Sequence, residues 1–452
     1  MDGQIAAGAG GPLAAVRALP VLRDRGNWVI FGSAGSLVGT VAVTSLLGFC
    51  YWWIAARYFS TTAVGFAAAG ISAMNLLGSL SMLGFGTLLI GEMPRQRERE
   101  HAFISTALLI SCGAGCLLGL IFVAIAPLLS HDLARLRANA GSIALFTLGV
   151  ALTGATSVLD LALVGMLRGS VQFWRNMLFS VAKLALLALA ALALARGSTT
   201  AIYVAWILGM LISLVAVARS VAGDRKPLAA YRPDLSLLHG LKASAAWHHL
   251  QNLALQLATL VLPLIVIAML SATEDAYFYT SWLLAGFLFF PPYALTIGLY
   301  TIGARAPHRL SSSMRLTLAL AVALSLAGVV VVWLGASFAL QIFGRSYQTE
   351  AAWSLRIVVL AVFPLIIKDH FVACCRVRRR IVGGTLAITA ASLLELAAAA
   401  AGAALGGLVG LCIGWVVAVF VGVLPLLPTV FAAAFPQNWR SASTLAPESH
   451  IA

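Results

Sequence analysis

The residues of this chain best placed to do chemistry are polar side chains set inside long apolar runs. His249, Asn252 and Gln256 recur at i, i+3 and i+7, which puts them on one face of a helix. At a rise of ~1.5 Å per residue, the stripe reaches from one end of its run to about mid-depth. Such a face hydrogen-bonds a polar ligand, and a protonated His249 meets an anion. The same groups also serve as hydrogen-bonding glue between helices. Arg356 and Glu395 lie at matched depth, ~10 Å from the corresponding ends of their runs. They are expected to form a buried ion pair, or else Arg356 faces a cavity with Glu395 as its counter-charge. Asp160 and Lys183 form a second matched acid and base, ~8 and ~10 Å from the other end. They are read as a pair, or as groups that respond to protons or sodium. Asn75 sits ~20 Å into its run, suited to a helix–helix hydrogen bond or to lining a cavity. Lys368, Asp369 and His370 close their run and are expected at an interface, where a long lysine snorkels or touches a lipid phosphate.

The runs that position these residues number twelve. They fall at about 28–55, 62–90, 101–129, 141–165, 176–195, 200–218, 244–270, 277–304, 314–340, 350–368, 381–402 and 406–431. Each is close to or above the ~20 apolar residues that cross a bilayer. Backbone groups in lipid find no water, so the runs must be helices. The composition agrees: 61% hydrophobic and 10% charged residues, with a mean hydropathy of +0.98. No gap is long enough to fold alone. The fold class expected is all-α, a polytopic membrane protein of about 12 transmembrane helices.

The net charge of +14 would suit nucleic acid, but its placement excludes that partner. Most of the 29 Lys and Arg fall in every second gap, the signature of cytosolic loops. Both termini are then expected in the cytosol, with the basic excess drawn to anionic headgroups. The first 26 residues lack the apolar core of a cleavable signal. Cys50, Cys112, Cys116, Cys374, Cys375 and Cys412 fall in spans or on the cytosolic side, where disulfides are not expected. None is accompanied by His at zinc spacing, so neither a metal nor a cofactor is expected. Trp52, Trp53, Trp247 and Arg57 read as interface anchors. Pro291 and Pro292 remove backbone donors and are expected to kink their helix.

The chain repeats itself weakly. The run STTAVGF at 60–66 aligns with SATEDAY at 271–277, each following the first span of a six-span set. Two six-span halves in the same orientation are related by an axis along the membrane normal. The organisation expected is an N-terminal tail over 1–26, an N-lobe of helices 1–6 over 27–218, and a cytosolic linker over 219–243. A C-lobe of helices 7–12 follows over 244–431, with a C-terminal tail over 432–452. Leu235, Leu237, Leu238 and Leu241 beside Lys242 suggest a short interfacial helix in the linker. Repeats of this kind typify secondary transporters, whose substrate site lies between the halves near the midplane.

The segment GSLVGTVAVTSLLGF (35–49), followed by AARYFSTTAVG (55–65), resembles the first hairpin of polysaccharide-export proteins. The stretch from Asn252 to Val266, with AYFY at 276–279, resembles their seventh and eighth spans. The resemblance is to the oligosaccharide or O-antigen flippase-like branch of the multidrug/oligosaccharidyl-lipid/polysaccharide exporter superfamily. It implies two six-helix lobes in a V, alternating access, and a polyprenyl-diphosphate-linked oligosaccharide as cargo, moved from the cytosolic to the outer leaflet for O-antigen, capsule or exopolysaccharide synthesis. It places the chain in a bacterial cytoplasmic membrane, beside the polysaccharide polymerase and glycosyltransferases of the same pathway. No chemical step is required, so no enzyme is expected. The spans supply sugar-binding amides and cations that would lower the cost of drawing a charged head through hydrocarbon. A cation-coupled multidrug exporter of the same superfamily is the first alternative, though no acid occurs between Asp24 and Glu92. A membrane glycosyltransferase or polysaccharide polymerase/ligase is the second, and the loops expected outside are short for it.

Overall fold

The computed structural model describes residues 43–85, 89, 99–166, 168–193, 200–222, 232–235, 243–305 and 307–436. The chain is all-helical, with about twelve membrane-spanning helices. Helix α1 is described over 43–58. It is followed by α2 (Thr61–Ser81), α3 (Glu100–Leu129), α4 (Ala140–Gly165), α5 (Gly169–Ala193) and α6 (Ala201–Ala222). The second half comprises α7 (Ala243–Met269), α8 (Ala272–Arg305) and α9 (Leu310–Gln341), then α10 (Ala352–Val377), which passes through a tight 3-10 turn at Val359–Ala361. The last long helix, Ile381–Val423, breaks at Gly406 and Gly407, and its two parts are α11 (381–405) and α12 (408–423). Gly407 has φ +60°, a left-handed conformation that glycine adopts without a Cβ penalty. The chain reverses there, so Gly402 and Gly410 meet backbone to backbone across the hairpin.

Sequence decides which helices are central. In α2 most of an 18-residue window is buried (72%), against 17% for α5 and α9. Helix α2 is rich in Ala, Gly and Ser, small residues that let helices approach closely where no hydrophobic force drives them together. A Cβ on Gly65 would lie 1.5 Å from the Ala272 carbonyl oxygen, and one on Gly78 would meet the Thr153 side chain. The outer helices instead turn large apolar side chains to the surroundings, such as Leu128, Leu334 and Phe338.

The two halves meet on equivalent residues. Thr62 and Thr273, 211 positions apart as in the sequence repeat, share a hydrogen bond of 3.1 Å. Equivalent residues touch in this way only where a pseudo-twofold axis passes between them. Around that point Ser130 donates to the Ile267 carbonyl at 2.8 Å, and the Asp132 carboxylate accepts from Ala272 N at 2.9 Å. We call this the far end, and the opposite one, carrying the 377–381 turn, the basic end.

Several boundaries differ from expectation. Helix α5 begins at Gly169, not 176, so Arg175 is a buried helical residue and not a loop cation. Helix α10 continues to Val377, because its polar residues find partners inside the protein, and Lys368 and His370 are buried in the bundle rather than at an interface. Trp52 is buried and packs on Tyr279 at 4.5 Å between ring centres, while Trp53 donates to the Ile342 carbonyl at 3.0 Å. Both tie the halves together and do not act as lipid anchors. Helix α8 runs on through Pro291 and Pro292 to Arg305. The interfacial helix expected around 235–241 lies almost wholly outside the described residues. Of that linker, Asp234 docks on α3, its N–H donating to Thr106 Oγ1 at 2.8 Å and its carboxylate 3.7 Å from Arg99.

Candidate functional site

A cavity of about 490 Å³ opens among α7, α8, α10, α11 and α12, within the ~300–1,000 Å³ of small-molecule sites. Its described lining comes entirely from the second half, not from both halves as expected. One wall is a face of α10, where Lys368, Val372 and Arg376 recur every fourth residue and Asp369 and Ala373 stand beside them. The facing wall is α7, with Asn252, Gln256 and Thr259. Trp282 and Trp415 close the inner end, their rings 4.8 Å apart. Exposed Tyr293, Ile297 and Tyr300 on α8 form its open side.

Two polar centres divide this cavity. At the basic end Arg376 donates from Nε to Gln251 Oε1 at 3.0 Å and from Nη2 to Asn252 Oδ1 at 2.8 Å. The amides fix the guanidinium plane, while Nη1 has no hydrogen-bond partner among the described residues. Eight residues deeper, ~12 Å along the helix, Lys368 donates from Nζ to Glu395 Oε1 at 2.7 Å and to Ser392 Oγ at 3.2 Å. Ser392 in turn donates to the Ala254 carbonyl of α7 at 2.9 Å. Glu395 Oε2 is buried without a partner. Asp369 is half-buried on the same wall and makes no hydrogen bond or ion pair among the described residues. Donors, an anion-ready guanidinium and aromatic faces are what bind a polar, anionic, ring-bearing ligand. Among the described residues no group of His, Cys, Asp and Glu could hold a metal ion.

The structure re-sorts the sequence candidates. Asn252 and Gln256 line the cavity as expected, Gln256 donating to the Asn252 carbonyl at 3.3 Å. His249 leaves that face; it lies against the Ser79 backbone of α2, at the seam between halves. Glu395 lines the cavity, but its partner is Lys368 and not Arg356. Arg356 points the other way, to α9, where Nε donates to the Trp333 carbonyl at 3.1 Å. Depth alone matched those two residues, and helix phase separates them. Asp160 and Lys183 do not pair either. Asp160 accepts two bonds from Arg175, at 2.7 and 2.5 Å, and a third from Asn176 at 3.2 Å. Among the described residues no acid pairs with Lys183; its ammonium lies 3.5 Å from the Trp206 ring centre, 4.5 Å from Phe179 and 5.2 Å from Tyr51, an aromatic cage of the cation–π kind. Asn75 is half-buried on α2 and neither bonds to a described residue nor lines this cavity.

Sequence reasoning missed Arg376, Gln251, Lys368 and Asp369 as one constellation. A signal was present: 368, 372 and 376 share a helix face with 369 and 373, but it shows only if the span is carried past its first cation.

No family model and no curated protein matches this sequence. Solved structures do. The inward-facing form of a multidrug resistance MATE family transporter of the MOP superfamily aligns at 17% identity and TM-score 0.64, covering 86% of this chain and 95% of that one. The outward-facing form of such a transporter aligns at 15% and 0.56, covering 90% and 96%. A MOP superfamily transporter from Pyrococcus furiosus Vc1, whose pocket of reverse polarity suggests a different function, aligns at 16% and 0.58, again over 90% and 96%. At these identities the likeness establishes the fold.

Proposed function

We propose that this chain is a membrane transporter working by alternating access, and that it moves a polyprenyl-diphosphate-linked oligosaccharide from the cytosolic to the outer leaflet. The fold shared with transporters solved facing both ways supports the first part. The observation that carries the second is Arg376, held open-edged by Gln251 and Asn252 at the mouth of a cavity lined with amides and aromatics. A guanidinium offers a diphosphate a planar pair of donors, amides bond sugar hydroxyls, and the tail stays in lipid along the exposed side of α8. The cavity volume suits the diphosphate and the first sugars, not a whole glycan. The basic end faces the cytosol under the positive-inside rule, and the two six-helix lobes close on each other at the far end. No enzyme chemistry is needed.

One observation favours the multidrug-exporter reading: Asp369, a cavity-wall carboxylate without an ion pair among the described residues, is a natural cation contact. Against it, Glu395 is already held by Lys368, and Lys368 and Arg376 balance the two acids. The test is a strain lacking the gene, with lipid-linked oligosaccharides extracted and their leaflet probed by an impermeant sugar-modifying reagent. Intermediates that accumulate shielded on the cytosolic side support the flippase. Unchanged intermediates with new sensitivity to cationic drugs refute it in favour of the exporter.

A further inference from the structure

Arg356 is a membrane-depth cation that the cavity does not use and, unlike Arg175 and Lys183, it lies beside exposed side chains. It lies four residues inside α10 from the far end, ~6 Å along the helix, on the surface turned away from the other half. Its guanidinium is fixed twice, Nε to the Trp333 carbonyl at 3.1 Å and Nη2 to Ser337 Oγ at 3.3 Å. Two indoles flank it, with ring centres 5.7 Å (Trp333) and 5.3 Å (Trp353) from Cζ. Both tryptophans are exposed, at 44% and 58%, among the still more exposed Leu334 and Phe338. Among the described residues the third guanidinium nitrogen, Nη1, and both indole N–H groups have no hydrogen-bond partner. Among the described residues no carboxylate forms an ion pair with Arg356.

We propose that Arg356, Trp333 and Trp353 form a binding site for the phosphate of an anionic glycerophospholipid. A cation facing hydrocarbon without a counter-ion is unfavourable, and it persists where an anion is within reach. The membrane supplies one ~6 Å away, at headgroup level, where tryptophan rings also settle. Two of the guanidinium's five N–H groups are spent on helix α9, which leaves the two on Nη1, one on Nη2 and the two indole N–H groups for phosphate oxygens. The exposed Val330 and Val331, deeper on α9, offer acyl chains a surface that a free phosphate ion would not use. The site is separate from the cavity and does not depend on what the cavity carries.

The test uses the full chain in nanodiscs of phosphatidylcholine doped with phosphatidylglycerol, and counts retained lipids by native mass spectrometry. The wild type is expected to hold one phosphatidylglycerol with about fivefold preference over phosphatidylcholine, the size of one basic residue's attraction to an anionic lipid. Arg356→Gln abolishes the preference, Arg356→Lys retains part of it because an ammonium lacks the planar fork, and Trp353→Phe weakens it without touching the charge. Tryptophan quenching by brominated phosphatidylglycerol, stronger than by brominated phosphatidylcholine in the wild type only, is the second readout. Equal retention of the two lipids by the wild type overturns the proposal, as does unchanged retention in Arg356→Gln or displacement of the lipid by millimolar inorganic phosphate. If Arg356→Gln fails to fold, the Lys and Phe variants decide the same question.

Discussion

Removing one partner of the Lys368–Glu395 pair should destabilise the protein far more than removing both. The side chains are 4% and 1% exposed and their charged atoms are 2.7 Å apart. At an effective dielectric constant of ~20, Coulomb attraction at that distance is ~6 kcal/mol before desolvation is subtracted. Breaking a buried pair from one side strands a charge and costs about 3–5 kcal/mol. Ser392 also accepts from Lys368, so Glu395→Gln, which keeps shape and one acceptor, sits at the lower end of that range. Lys368→Met leaves Glu395 with Oε2 already unpartnered and sits at the upper end. The double variant Lys368→Met/Glu395→Leu strands nothing and is expected within ~1 kcal/mol of wild type, since apolar replacements of buried pairs are often neutral. The assay is a double-mutant cycle of Lys368→Met, Glu395→Leu and their combination, on the purified protein in mixed micelles unfolded by SDS titration. The expected coupling exceeds ~2 kcal/mol, well above the few tenths seen for independent sites. Additive effects would refute the reasoning, because they would mean water reaches the pair and screens it.

Four further outcomes follow from the same geometry. Arg175→Ala should cost about 3–5 kcal/mol by stranding Asp160, and Arg175→Lys only part of that, since lysine cannot reproduce the two-pronged contact; the SDS midpoint separates them. Lys183→Met should be neutral or stabilising, opposite in sign to Lys368→Met, because Lys183 has aromatic faces but no acid to strand. Gly65→Leu should block folding or insertion, since even a Cβ there would sit 1.5 Å from the Ala272 carbonyl oxygen; expression of monodisperse protein reads this out. In a background without native cysteines, oxidised Thr62→Cys/Thr273→Cys should crosslink where the threonine hydroxyls now meet at 3.1 Å, and transport should stop until a reductant is added.

The fold was legible because bilayer thickness and backbone hydrogen bonding leave few alternatives to twelve apolar helices. The repeat was legible at one turn, and there the two copies pack on each other through the Thr62–Thr273 contact. The site was only half legible. Hydrophobicity fixes depth in the membrane but not rotation about a helix axis, so acids and bases of equal depth were matched with the wrong partners. Glu395 belongs to Lys368, which hydropathy places at an interface because a cation there reads as the end of its helix. Asp160 belongs to Arg175, which falls one residue before the run expected at 176–195 and so lies outside it by hydropathy alone. The period-based reading did better: of His249, Asn252 and Gln256, the latter two face the cavity, and His249 is lost to the neighbouring helix α2.

The most direct test of the account is transbilayer movement itself. The purified chain is reconstituted in vesicles containing a lipid-linked oligosaccharide, and a membrane-impermeant sugar-modifying enzyme reports how much of it crosses. The account predicts transfer at least tenfold above empty vesicles. Arg376→Ala should return it to near the empty-vesicle rate while its SDS-unfolding midpoint stays close to wild type, which separates loss of cargo contact from loss of folding. No transfer by a folded wild type, or full transfer by Arg376→Ala, would contradict it.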